Sequence, residues 1–262
     1  MVEHKTVNDL NRRVQQAILV WFIFILLNLM LNRAIPLLVG VDQLTWTYSM
    51  VKDILIHLLI YGGLFLVAPL ILTKGWESAR QPGFIFPLLI AVLALTLRPL
   101  AHPAAAVVVV VLAYLHGRYN LDDLGIRSHG WRGDLIAIIL LGALSLSATL
   151  LRPPPHTITA GDAIMAGLDR LFANPASTVE NLFYFGFLAE RLSYKTGRWT
   201  APLVGLMYTV HEMSNPEYWY ENMNFVFTFV GVTAFTAIYL WRRSTVVIWL
   251  SDGLNRFLQS LI

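Results

Sequence analysis

Apolar residues run through this chain in long stretches broken by short polar connections, and the length of those stretches limits the structures it can adopt. Clear runs occupy Ala17–Val39, Ile54–Leu72, Asp134–Leu151, Phe225–Trp241 and Thr245–Ile262. A helix rises about 1.5 Å per residue, so about 17 to 25 apolar residues cross the ~30 Å of hydrocarbon in a bilayer. Phe84–Leu97 and Ala104–His116 are shorter and flank Arg98-Pro-Leu-Ala-His-Pro103, which fits either two tilted spans or a re-entrant pair. Val179–Leu192 and Ala201–Met213 complete the set, each interrupted by polar groups. The pattern predicts an all-α, polytopic transmembrane helix bundle of about eight or nine spans, because lipid leaves backbone amides only intrahelical partners.

This pattern divides the chain into a polar N-terminal segment (1–16), N-terminal spans (17–151), a polar connection (152–177) and a C-terminal core (178–262). The first apolar run is too long for a signal peptide and has no small-residue cleavage site, so it reads as a retained span. Counting nine spans with the N-terminus inside gathers Lys5, Arg12, Arg13, Lys74, Arg80, Arg118, Arg127, Arg132, Lys195, Arg198, Arg242 and Arg243 on the cytoplasmic side. Arg33, Lys52, Arg98, Arg152 and Arg170 then fall at the external edge, with the acidic aromatic loop Asn215–Glu221 outside. The connection 152–177 contains Pro153-Pro-Pro155. After it, Ile164, Met165, Leu168, Leu171 and Phe172 recur at helical spacing around Asp162 and Asp169, which predicts an amphipathic helix along the membrane surface, starting at Thr159 or Gly161.

Composition agrees with lipid as the solvent: 13% of residues are charged, against about a quarter in ordinary soluble domains. A formal charge of +3 on scattered basic residues gives no footprint for nucleic acid. The absence of cysteine removes disulfides, thiolate nucleophiles and Cys-ligated metals. His57, His102 and His116 are isolated, and His211-Glu-Met-Ser-Asn215 lacks the second histidine of a zinc helix, so neither metal nor cofactor is implied.

Candidate chemistry begins at Glu180. A carboxylate in a spanning helix costs several kcal/mol (about 2.5 to 3.5 for Asp at a helix centre), so it marks a cavity, a pathway or a reaction centre. Glu180 and His211 each lie about 15 residues from the centre of the turn Ser193–Thr200, which sets both about 23 Å above it if the two runs form an antiparallel pair. Ser251 and Asn255 are i and i+4 on the last run, hence on one face. A carboxylate beside a neutral imidazole can deprotonate a water and return the proton to a leaving amine. An amide N–H from Asn255 can stabilise the resulting oxyanion. Each residue also has a structural reading: Ser177-x-x-Glu180 matches a capping box, His211 can bond a neighbouring helix, Asn255 can join two helices, and Asn181 is structural.

These motifs resemble the CAAX-protease and bacteriocin-processing family of glutamic intramembrane proteases. Glu180-Asn-Leu-Phe-Tyr-Phe-Gly186 is similar to its Glu-Glu-x-x-x-Arg-Gly, Met207-x-x-x-His211 to its Phe-x-x-x-His, and Ser251-x-x-x-Asn255 to its His-x-x-x-Asn; Leu121-Asp-Asp-Leu-Gly-Ile-Arg127 resembles its lead-in. The chain departs from the family at Asn181, Phe185, Met207 and Ser251, which replace Glu, Arg, Phe and His. The resemblance implies an intramembrane endopeptidase without cofactor, embedded in membrane lipid of a prokaryotic cell, hydrolysing a lipidated or transmembrane peptide. In that reading Glu180 and His211 activate water, Asn255 and Ser251 polarise the scissile carbonyl, and Asn181 stands in the motif's second position. The departures leave a second expectation open, a catalytically inactive relative that works as a membrane binding or bacteriocin-immunity protein.

Overall fold

Large apolar side chains cover the outside of this protein, while carboxylates, amides and an arginine lie inside it. In the computed structural model Phe22, Leu26, Phe86, Ile90, Val110 and Ile139 are exposed, whereas Glu180, Asn181 and Arg191 are buried. In water such a surface would be a large interaction patch; against lipid it is the ordinary outer face of a helix bundle. The structure describes residues 7–39, 46–98, 103–127, 129–151, 159–213 and 224–261. The expected loop Asn215–Glu221, Pro153-Pro-Pro155, Lys5, Arg152 and His102 lie outside the described residues.

The described residues are almost all helical, with no strand among them. In chain order the helices are α1 (Val7–Leu38), α2 (Tyr48–Lys74), α3 (Pro82–Thr96), α4 (Ala104–Tyr119), α5 (Trp131–Leu151), α6 (Ala160–Phe172), α7 (176–196), α8 (Thr200–Glu212), α9 (Asn224–Arg242) and α10 (Thr245–Leu261). Four of them, α1, α2, α5 and the segment Phe225–Arg242 of α9, are long and apolar enough to cross a membrane, consistent with a membrane protein. Of the others, α3 has 15 residues, α4 16, α8 13 and α10 17, while α7 carries Glu180, Glu190, Arg191 and Lys195 along its length.

Local chemistry sets several helix ends. Pro82, with no backbone N–H to leave unsatisfied, opens α3. Thr159 caps α6, its Oγ1 accepting from Asp162 N at 3.2 Å, as the sequence suggests. The Ser244 hydroxyl accepts from Val247 N at 3.3 Å at the start of α10. Helix α6 packs along α10, where Gly167 approaches the Gly253 carbonyl. Ile164, Met165, Leu168 and Phe172 remain exposed on its outer side.

Parts of three helices are wound more loosely than α, among them Met30–Ala34 of α1. Residues Ile56–Val67 of α2, and Ala176–Glu180 and Leu182–Ala189 of α7, take π-helical turns, a geometry that recurs at functional sites. These segments pack on each other. Phe65 and Phe183 stack there at 4.4 Å, and Phe24 of α1 closes the aromatic core at 4.8 Å from Phe65.

The stretch Leu121–Arg127, which the family resemblance makes a lead-in motif, acts in the fold as a clasp. Its 3₁₀ turn ends at Gly125 (φ 68°), whose carbonyl accepts from Thr245 N at 2.8 Å. Arg127 Nε donates to the Arg243 carbonyl at 2.9 Å, and the Ser244 hydroxyl donates to the Arg127 carbonyl at 2.7 Å. The same turn lies against α7 at Gly186, where a Cβ would stand 2.2 Å from the Leu124 carbonyl oxygen. Gly186→Ala therefore forces backbone apart, at a cost of about 1 to 3 kcal/mol or more. A clear fall in the thermal unfolding midpoint of the detergent-solubilised protein is expected, whereas Gly117→Ala, with open space around it, should hold or raise that midpoint.

Candidate active site

A chamber of about 380 Å³ opens between α5, α6, α7, α8, α9 and α10. Its polar wall carries Glu180 and Asn181 from α7, Tyr208 and Glu212 from α8, Arg170 from α6, and Asp252, Asn255 and Gln259 from α10. Its apolar wall is formed by Leu144, Phe185, Phe227, Val232 and Phe235. A polar cavity of about 370 Å³ shares Arg170, Asp252, Asn255 and Gln259 with it, which extends the polar surface outward between α6 and α10. An apolar cavity of about 230 Å³ lies on the other side of Asn181, lined also by Thr178, Leu182, Val246 and Trp249.

Glu180 sits early in α7 and is 8% exposed. The capping box expected of Ser177 and Glu180 is not formed: Ser177 Oγ is buried with no hydrogen-bond partner. Instead the Tyr208 hydroxyl donates to Glu180 Oε2 at 3.3 Å. Asn181 donates through Nδ2 to the Ser177 carbonyl, back-bonding along its own helix while its side chain separates the chamber from the apolar cavity. On α10, Asn255 Oδ1 accepts from the Ser145 hydroxyl and, at 3.2 Å, from Gln259 Nε2. With that oxygen occupied, Nδ2 is the atom of Asn255 that can donate into the chamber.

Of the five sequence candidates, the chamber gathers Glu180, Asn181 and Asn255. His211 is not among its lining residues. Its ring lies in the aromatic core, edge-on to Phe24 at 4.7 Å, parallel to Tyr184 at 5.9 Å and 5.3 Å from Tyr208. Ser251 also faces away: it is 1% exposed, and its hydroxyl donates to the Val247 carbonyl at 2.8 Å. The reason is rotational. Adjacent helical residues point about 100° apart, so with Tyr208 aimed into the chamber it is Glu212, at i+4, that shares its face, and on α10 the run of positions 252, 255 and 259 replaces 251 and 255.

The sequence reading missed Tyr208, Glu212, Arg170, Asp252 and Ser145. The i, i+4 pair Tyr208/Glu212 and the i, i+3 pair Asp252/Asn255 were the available signals. Arg170 belongs to the site because it reaches across to α10, Nε lying 2.9 Å from Asp252 Oδ2 with both side chains largely buried. Comparison with known proteins gives no lead: no family model matches the chain, and no curated protein or solved structure does.

The Arg170–Asp252 pair fixes α6 on α10 and closes one side of the chamber. Removing one partner strands the other as a buried charge. Asp252→Asn should lower stability by about 3 kcal/mol, read as a lower unfolding midpoint in detergent, while Glu77→Gln, from the exposed pair with Arg80, should leave it unchanged.

Proposed function

We propose that this chain is a membrane-embedded hydrolase that cleaves a peptide bond with a water activated by Glu180. One observation carries this reading: a carboxylate buried among helices suited to lipid lies on a polar chamber, and an amide donor, Asn255, shares that chamber. Glu180 is the general base, oriented by the Tyr208 hydroxyl. Asn255 Nδ2 donates to the oxyanion that forms when water attacks the scissile carbonyl, its amide held in place by Ser145 and Gln259. The similarity of the Glu, His and Asn motifs in number and order to those of the CAAX-protease and bacteriocin-processing family supports the same assignment, and a bundle of eight or nine spans that includes the shorter helices is part of the proposal.

The substrate class follows from the surroundings. Phe185, Phe227 and Phe235 suit an apolar stretch of peptide, and the apolar cavity behind Asn181 suits a lipid chain or a bulky aliphatic side chain. A lipidated or transmembrane peptide, presented from the lipid of a prokaryotic cell membrane, meets both requirements. His211 acts through Tyr208 and Tyr184 as a positioning residue. Its place in the aromatic core also favours a second reading, in which the chain is a relative without catalysis and the chamber binds a membrane peptide without cutting it.

The test is cleavage of a fluorophore-labelled library of membrane-spanning and lipidated peptides by the protein reconstituted in liposomes. Glu180→Gln should abolish turnover while the protein still accumulates. Asn255→Ala should lower the rate by about 10² to 10³, as for one oxyanion donor. His211→Ala should lower it less than Glu180→Gln. Saturable binding of a library peptide with no cleavage would replace the hydrolase reading with the second one.

A further inference from the structure

Three partly buried carboxylates in this bundle have an arginine of their own. Asp134 takes Arg242 at 2.9 Å, Glu190 takes Arg243 at 2.6 Å, and Asp252 takes Arg170 at 2.9 Å. Among the described residues, Glu180 and Glu212 have no such partner. Both line the chamber. The Tyr208 hydroxyl lies against both, donating to Glu180 Oε2 at 3.3 Å and reaching the Glu212 carboxylate as well. The Glu212 carboxylate is close enough to Glu180 to act on it electrostatically.

Two like charges in a site of low permittivity do not both persist without a countercharge, and the one arginine on the chamber wall among the described residues, Arg170, is paired with Asp252. A metal ion is a poor candidate, since no group of three His, Asp or Glu side chains suited to one occurs among the described residues. A proton supplies the missing charge without any ligand. The helix ends decide which carboxylate holds it. Glu180 lies in the first turns of α7, toward the positive end of its helix dipole, which favours a negative charge, and Glu212 is the last residue of α8, at the negative end, which favours a neutral group.

We propose that Glu180 and Glu212 share one proton across the chamber and that Glu212 is the catalytic acid that protonates the leaving group. The assignment of a catalytic role rests on the hydrolase reading; the shared proton does not. Glu180, as carboxylate, takes a proton from water. The water oxygen bonds to the scissile carbonyl carbon, and the pair of electrons of the carbonyl π bond moves to oxygen, where Asn255 donates. Collapse breaks the C–N bond, and Glu212, as carboxylic acid, gives its proton to the departing nitrogen. The products are a carboxylic acid and an amine, and transfer of the proton from Glu180 to Glu212 restores the starting state. Glu212 thus takes the leaving-group protonation that the sequence reading gave to Glu180 and His211 together, from the position next to His211 on the same helix. The other charged or titratable groups bearing on the pair are Tyr208, Arg170, Asp252, Tyr61 and Tyr184.

Infrared spectroscopy of the full chain in liposomes, with no substrate present, tests the shared proton through the C=O stretch of protonated carboxyl groups followed over pH. Wild type should show two separated titration steps. Glu180→Gln and Glu212→Gln should each collapse them to one intermediate step, and Glu212→Asp, which keeps the acid, should preserve two and verify that the site is intact. If Glu212→Gln leaves the titration of Glu180 where it was, the pair does not exist and the proposal is overturned. Cleavage assays separate the two ideas. Linked titration without cleavage of any library peptide keeps the pair and removes the hydrolase reading; full cleavage by Glu212→Gln with loss in Glu180→Gln keeps the hydrolase and removes Glu212 as its acid.

Discussion

The cost of holding charge away from water organises this protein. A carboxylate at Glu180 among lipid-suited helices is tolerable only if the helices around it supply a polar lining, and α6, α8 and α10 do so with Arg170, Tyr208, Asp252 and Asn255. The same constraint acts elsewhere in the bundle. Arg191, 2% exposed, places its guanidinium 4.0 Å from the Phe187 ring and donates to Thr73 Oγ1 at 3.0 Å and the Leu72 carbonyl at 3.3 Å. Glu190 gathers Arg243 and, at 3.0 Å, the Tyr239 hydroxyl. Each buried charge thereby fixes the relative position of two or three helices, and the chamber forms where those fixed helices leave space.

Close backbone approach complements the charges. Without a side chain at Gly186, the Leu121–Arg127 turn seats against α7, and the hydrogen bonds from Thr245, Arg127 and Ser244 lock the α9–α10 connection onto it. This sets the height of α10 against α7, and with it the placement of Asn255 on the wall that Glu180 shares. A motif that resembles part of a catalytic signature is thus explained by packing: Gly186 and Leu121–Arg127 build the frame that holds the chamber's polar side chains.

Aromatic stacking divides the interior into two compartments. Phe24, Phe65, Phe183, Tyr184 and His211 form a dense core between α1, α2, α7 and α8, and the chamber lies on the other side of α7 and α8. Tyr208 joins them, its ring near His211 and its hydroxyl on Glu180. Tyr208 thereby links the imidazole of the first compartment to the second.

The sequence by itself determined the helical class, most helix positions, and that Glu180 needs a polar cavity, because run length and the cost of an intramembrane carboxylate are properties of the chain alone. It also determined depth, since rise per residue is constant, and His211 and Glu212 differ in depth by only about 1.5 Å. Only the tertiary structure decided rotation. Whether residue 211 or 212, and 251 or 252, faces the chamber depends on how each helix turns about its axis, and that turn is set by contacts from elsewhere in the chain: Phe24 and Phe65 around His211, Arg170 on Asp252, Ser145 on Asn255. A difference of one residue moves a side chain by about 100° around a helix, enough to exchange a histidine in an aromatic core for a glutamate on a polar wall.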